Sequence, residues 1–477
     1  MLFNSIEFLI FLPIVFFLYW FVFKTLRLQN LLVVVASYVF YGWWDYRFLI
    51  LIAFTTLCSF FSALLVGKLK KDGNPEVGKF LTICNIVINL VILGVFKYFN
   101  FFTDSFIHMF NCLGWTVHPI TLKLILPVGI SFYTFQALSY TIDVYRGKLA
   151  ATRDIVSFFA FISFFPQLVA GPIERATSLL PQFQKNRCFD YATAVEGMRQ
   201  ILWGLFKKMV VADNCADVVD SVWQNFSQHS SLTLVITAFL FAFQIYGDFS
   251  GYSDIAIGTG KLFGIRLMRN FNLPYFSRSV AEFWKRWHIS LNTWFVDYVY
   301  IPLGGSRGGK WKAVRNTFVI FILSGLWHGA NWTYVTWGVY HAALFIPLVL
   351  LGGKRKFDNI VACDSFFPNI NEVGQMLLTF VLVVFGWIIF RSNSLVEFVD
   401  YFTCIINNVS VSEELLGEKA IFFIGLLLLI EWHNRKRDQV FFLPIKNIVL
   451  RWSVYLIFVF LCIAEAGKQV QFIYFQF

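Results

Sequence analysis

Two histidines carry the chemistry that this sequence could perform. His328 stands in LSGLWHGANW, beside Trp327 and between Gly325 and Gly329, and His288 stands in FWKRWHISLN, beside Trp287 and four residues before Asn292. A neutral imidazole accepts a proton, so a histidine held away from water can activate a hydroxyl as a general base. The other reading of His328 is a hydrogen bond between helices, and that of His288 an aromatic and basic belt at a membrane surface. A third concentration of polar groups, FQIYGDFSGYSD, brings Asp248, Tyr252 and Asp254 close to an apolar run. Such groups are costly in a membrane, so they either do chemistry or pair with buried Lys or Arg to hold helices together. Gly247, Gly251 and Gly258 argue against a regular lipid-facing helix there and predict a broken helix lining a cavity inside the protein.

The bulk of the chain is apolar. Of its 477 residues, 58% are hydrophobic and 14% charged, and Phe, Trp and Tyr make up 20%. A soluble domain has roughly 45–50% apolar and about 25% charged residues, so a soluble globule is excluded, as are disordered and disulfide-rich secreted chains. A membrane helix needs about 20 apolar residues. Runs at 6–23, 31–44, 48–66, 80–102, 232–246, 317–327, 332–351, 376–390, 421–432 and 452–464 meet or approach that length, and 122–144, 155–169 and 201–211 are apolar with more polar residues. This predicts an all-α polytopic membrane protein, a single domain over residues 1–477 with about 10 to 12 transmembrane helices plus re-entrant or partial ones. The alternating pattern of a β-barrel is absent.

Charge sets the expected orientation. The first apolar run is preceded by no Lys or Arg and followed by no cleavage site, so it reads as a retained span. Lys24, Arg27, Lys68, Lys70, Lys71 and Lys79 mark cytoplasmic loops, as do Arg307 to Arg315, Lys354 to Lys356, and Arg435 to Arg451. Glu413, Glu414 and Glu418 mark an outer loop, so both termini are expected outside. The net charge of +11 is a topological signal on this reading, and no nucleic acid is expected as a partner. Between the basic loop at 307–315 and that at 354–356 the chain must cross an even number of times. That predicts a hairpin turning at Gly329, Ala330 and Asn331, with His328 roughly 18 Å along the first arm from Asn316. His341 is expected at the interface, and His108, His118, His229 and His433 in loops or at span ends. Eight scattered cysteines form no C-x-x-C pair or Cys/His cluster, so they read as buried thiols and no metal is expected.

The blocks RWHISLNTWFVDYVYIPLGG, LSGLWHGANWTYVTWGVYHA, FQIYGDFSGYSD and FPQLVAGPIER resemble the signature blocks of the membrane-bound O-acyltransferase family, in its bacterial alginate O-acetyltransferase branch. The opening MLFNSIEFLIFLPIVFFLYW, the block LPVGISFYTFQALSYTIDVYRG and the closing FIYFQF extend the resemblance over the chain. It implies a multi-helix fold with a tunnel between the two membrane faces, catalytic roles for His328 and His288, and tunnel or supporting roles for Trp287, Asn292, Trp327, Asn331, Asp248 and Tyr252. An acyl-CoA or acyl carrier protein would serve as co-substrate at the cytoplasmic face, with no bound cofactor. A hydroxyl at the outer face, of a polysaccharide such as alginate, would receive the acyl group. Lys285, Arg286, Arg307 and Lys310 would attract the donor's phosphates or acidic surface, or simply orient the protein. His288 or Asn292 would stabilise the oxyanion, and an acyl-histidine intermediate is a second route. An outer-face acetyltransferase of the serine-hydrolase type is the implied partner, and the bacterial cytoplasmic membrane the implied location. The chain departs from the family pattern at Val296, where Arg is common, and at Asn292, where Ser is frequent. D-alanyl transfer to teichoic acid uses the same two histidines and is the alternative. A channel or secondary transporter would also place polar groups in the membrane, although no inverted repeat is visible.

Overall fold

The computed structural model describes residues 1–116, 121–122, 124–169, 171–351, 357, 359–410, 416–467, 470 and 472–473. His118, Lys354, Arg355, Lys356, Glu413 and Glu414 lie outside these residues. Regular structure among the described residues is entirely helical, as composition requires. Among the described residues five helices are long and apolar enough to cross a membrane: Tyr46–Lys71, Pro75–Cys112, Ser231–Leu262, Trp332–Leu350 and Ile370–Arg391. Ile6–Val22, Leu26–Gly42 and Ile448–Ala464 are shorter apolar helices. Their outward faces are apolar: Leu9, Ile10, Ile14 and Phe17 on the first helix, and Leu456, Ile457, Phe460 and Ile463 on the last, are more than half exposed. Continuous apolar faces of this kind are rare on soluble proteins and suit a lipid solvent.

The described residues group into two compact units, Met1–Gly197 with Ala256–Met268, and Met198–Ile255 with Arg269–Phe477. In the first, polar side chains on apolar helices are spent on fixed partners. Asn30 donates to Ser157 Oγ at 3.1 Å and to the Phe183 carbonyl at 2.7 Å, and Tyr19 and Trp20 donate to the carbonyls of Phe263 and Leu262. These bonds fix helix register where apolar packing against lipid gives little direction. The cysteines form no disulfide; Cys215 and Cys462 are buried, Cys58 and Cys84 half-buried, but Cys112, Cys188 and Cys363 are exposed and depart from the buried-thiol expectation.

The second unit holds most of the chemistry-bearing residues. It contains residues 231–255 of the helix Ser231–Leu262, which runs unbroken through Gly247, Gly251 and Gly258. The expected break is absent because the glycines serve packing. A Cβ on Gly251 would stand 2.7 Å from the Gly204 carbonyl oxygen, and one on Gly204 2.5 Å from that of Gly251. Glycine's backbone cost in a helix, about 0.5–1 kcal/mol, is offset by this close approach.

The expected hairpin is present. Lys310–His328 forms the first arm and Trp332–Leu350 the second, with Gly329, Ala330 and Asn331 between them. Asn331 caps the second arm, its side chain accepting from Thr333 N, and its amide donates to the Asn393 carbonyl at 2.7 Å. The arms touch through glycine: a Cβ on Gly325 would run into the Tyr334 carbonyl, and one on Gly338 into the Phe321 carbonyl. Gly325→Val is therefore expected to destabilise the protein by about 1–3 kcal/mol, seen as a lower thermal midpoint in detergent. A wild-type midpoint would contradict this packing.

Candidate active site

His288 occupies a turn between two short helices. Val280–Arg286 is opened by Ser279, whose side chain accepts from Glu282 N, and Ile289–Phe295 begins directly after His288. His288 has φ 43° and ψ 53°, a left-handed conformation that costs a side-chain-bearing residue energy and must be held by its surroundings. Two asparagines hold it. Asn292 donates to the carbonyls of Trp284 at 2.8 Å and Trp287 at 2.6 Å. Asn270 accepts from Ile289 N on its carbonyl at 2.9 Å and from Ser290 N on its side chain at 3.3 Å. The imidazole is buried within the protein, at 1% exposure. Asn292→Ala should lower turnover about tenfold, because releasing two carbonyls costs about 1 kcal/mol each and frees the turn. Turnover per folded molecule measures this, and an unchanged rate would contradict the positioning.

His328 is the last residue of the first hairpin arm, at 4% exposure. Its ring packs edge-on against Trp327, Trp337 and Phe390, with centroids 5.0, 5.2 and 5.3 Å away. Trp327 also packs on His288 at 5.5 Å, so one indole lies against both imidazoles and bounds their separation by the sum of those two distances. Phe249, 4.7 Å from His288, and Trp387, 4.9 Å from Trp287, extend the aromatic wall. Sequence spacing alone did not bring the histidines together; the fold does. Walls of this kind keep water out and strengthen electrostatic interactions between the groups they enclose.

Asp248 and Tyr252 sit at one side of this wall. Lys208 Nζ lies 2.8 Å from Asp248 and 2.7 Å from Asp213, and Asp248 also accepts from Ile473 N at 2.6 Å. Tyr252 packs on Phe472 at 4.2 Å. Asp254 pairs with Lys207 and accepts from Gln200 at 2.7 Å. Of the two readings of these carboxylates, buried pairing is thus the one observed. The lysines that provide it stand side by side in the run LWGLFKKMVVAD, a visible signal that sequence reading passed over. Tyr246, bonded to Glu431 at 2.6 Å, belongs to the same buried polar set.

The basic residues separate into two groups. Arg286 is bound to Glu282 at 2.8 Å and to the Asn272 carbonyl, and Lys285 is half-buried. Arg307 and Lys310 are exposed in the loop before the hairpin. His341, whose depth in the membrane is expected at the interface, is fully buried within the protein. Among the described residues no group of three His, Cys, Asp or Glu is arranged to hold a metal.

Among the described residues the chain is helical and packs two buried histidines against one indole, walled by aromatic rings. The chain belongs to the membrane-bound O-acyltransferase family, whose sequence profile matches residues 148–350, a span that includes both histidines. It is 40% identical over 396 residues to the probable alginate O-acetylase AlgI of Pseudomonas aeruginosa, covering 83% of this chain and 73% of that one. It is 34% identical over 392 residues to the peptidoglycan O-acetyltransferase of Helicobacter pylori, covering 77% and 71%. The teichoic acid D-alanyltransferase of Bacillus subtilis is 28% identical over 292 residues, covering 57% and 70%. The protein is accordingly an O-acyltransferase.

Proposed function

We propose that this enzyme moves an acetyl group from a cytoplasmic thioester, acetyl-CoA or an acetylated carrier protein, through a tunnel to a hydroxyl of an exported polysaccharide such as alginate. The observation that carries the reading is the packing of His288 and His328 against Trp327 inside a water-excluding wall. His328 takes the proton of the acceptor hydroxyl as its oxygen attacks the thioester carbonyl. The C–O bond forms, the C–S bond breaks, and the thiolate recovers the proton from His328. His288 donates to the developing oxyanion, a role supported over Asn292 by the commitment of the Asn292 amide hydrogens to Trp284 and Trp287. Arg307 and Lys310, exposed before the hairpin, meet the donor's negative charge.

On this reading the protein lies in the bacterial cytoplasmic membrane with both termini outside and about 10 to 12 crossings, and hands the acetyl group on with an outer-face partner of the serine-hydrolase type. Acetyl is favoured over D-alanyl by the higher identity and longer coverage of the O-acetylating relatives. Mild alkaline release of esters from the surface polymer of cells with and without the gene tests this. Gene-dependent acetate is expected, and gene-dependent D-alanine would overturn the choice of acyl group.

A further inference from the structure

A third histidine is built into the same aromatic core, and neither the proton transfer nor the oxyanion requires it. His341 is fully buried. Its Nδ1 accepts from Trp284 Nε1 at 3.4 Å, which puts the imidazole proton on Nε2. That second nitrogen has no hydrogen-bond partner among the described residues. It faces Gly386, where a Cβ would come within 2.6 Å of it. An apolar ring would fill this junction without stranding a polar atom, yet the chain places an imidazole here and a glycine opposite. In some proteins a buried polar group kept at such a junction fixes register.

The register in question joins the two halves of the site. Trp284 lies on the helix that leads through Trp287 to His288, and its carbonyl is held by Asn292. Trp337, 5.0 Å from His341, lies on the hairpin and packs on His328 from its other side. Gly386 precedes Trp387 on Ile370–Arg391, and Trp387 packs on both Trp287 and Trp337. His341 therefore touches each of the three elements that wall the histidines, and its one directed bond runs from the His328 hairpin to the His288 arm.

We infer that His341 is a positioning residue: its bond to Trp284 sets the placement of His288 relative to His328. The inference rests on the acetyl-transfer reading above. Its test uses the full-length protein in liposomes with acetyl-CoA and an oligosaccharide acceptor, comparing His341→Phe, His341→Gln, Trp284→Phe and the His341→Phe/Trp284→Phe pair. His341→Phe is expected to lower kcat about tenfold, with donor KM within about twofold and little change in thermal midpoint, since one misplaced contact costs of this order. His341→Gln, which still offers an acceptor to the indole, should recover most of the loss. Trp284→Phe should match His341→Phe, and the pair should lose no more than either alone. Wild-type kcat in His341→Phe would overturn the inference, as would equal inactivity of the Phe and Gln variants in folded protein, or a loss explained by a smaller folded fraction. A separate readout keeps the two readings apart. In protein carrying 15N-labelled indoles, the Trp284 resonance, assigned by its loss in Trp284→Phe, should shift in His341→Phe. An unmoved resonance overturns the bond itself, whereas absent turnover in the wild type with a shifted resonance would count against the acetyl-transfer reading.

Discussion

His328→Ala should abolish acyl transfer, lowering the rate by about 10²–10⁴, with the protein still present in the membrane at its normal level. Truncation at this position also removes a ring packed against Trp327, Trp337 and Phe390, so His328→Phe, which refills the space without a basic nitrogen, should be equally inactive. His288→Ala should lose activity of similar size. If the two act on one transition state, the double variant should be little worse than either single one, because groups that work as a unit lose their effect together. Rates are measured on purified protein, normalised to the monodisperse folded fraction. A folded His328→Phe protein with substantial turnover would remove His328 from the chemistry.

The largest effect on stability is expected at Lys208. This ammonium is buried between Asp213 and Asp248, all three no more than 4% exposed at the side chain, and it also donates to the Val470 carbonyl at 3.3 Å. Lys208→Met leaves two buried carboxylates facing each other without a cation. Breaking a buried pair costs about 3–5 kcal/mol, so the variant should show a sharply lower thermal midpoint in detergent and poor yield. Lys207→Met should cost less, because Asp254 keeps its bond from Gln200. Converting Asp213 and Asp248 to Asn alongside Lys208→Met should restore much of the lost stability, since the cost lies in the uncompensated charge. A Lys208→Met protein that melts like the wild type would contradict this account of the buried network.

The hairpin and His328 were legible because three local signals agree: the basic loop at 307–315, the apolar run after it, and the Gly329 to Asn331 turn. Depth follows from residue count along a helix. Burial by neighbours does not, so nothing local showed that His341 is fully enclosed. The unbroken helix through Gly247 and Gly251 was misread for a related reason. A glycine in an apolar run signals either a break or a close contact, and only the partner, here Gly204 and the Lys207 carbonyl, decides which. The left-handed turn at His288 depends on Asn270, eighteen residues earlier in the chain, and nothing local announces it. Lys207 and Lys208 are visible as a charged pair in an apolar run, yet beyond the nearby Asp213 their partners Asp248 and Asp254 lie forty or more residues away. The abundance of Phe gains a partial account: rings such as Phe249, Phe271 and Phe390 wall the histidines, while many others face outward.

Acetylation of a surface polysaccharide at the His288 and His328 site is directly measurable. Cells carrying the wild-type gene or His328→Ala are fed labelled acetate, and ester-linked label is counted on purified surface polysaccharide, with the two proteins matched in membrane abundance. The account predicts label on the polymer in the wild type and its loss in the variant. Equal labelling in both strains would contradict it.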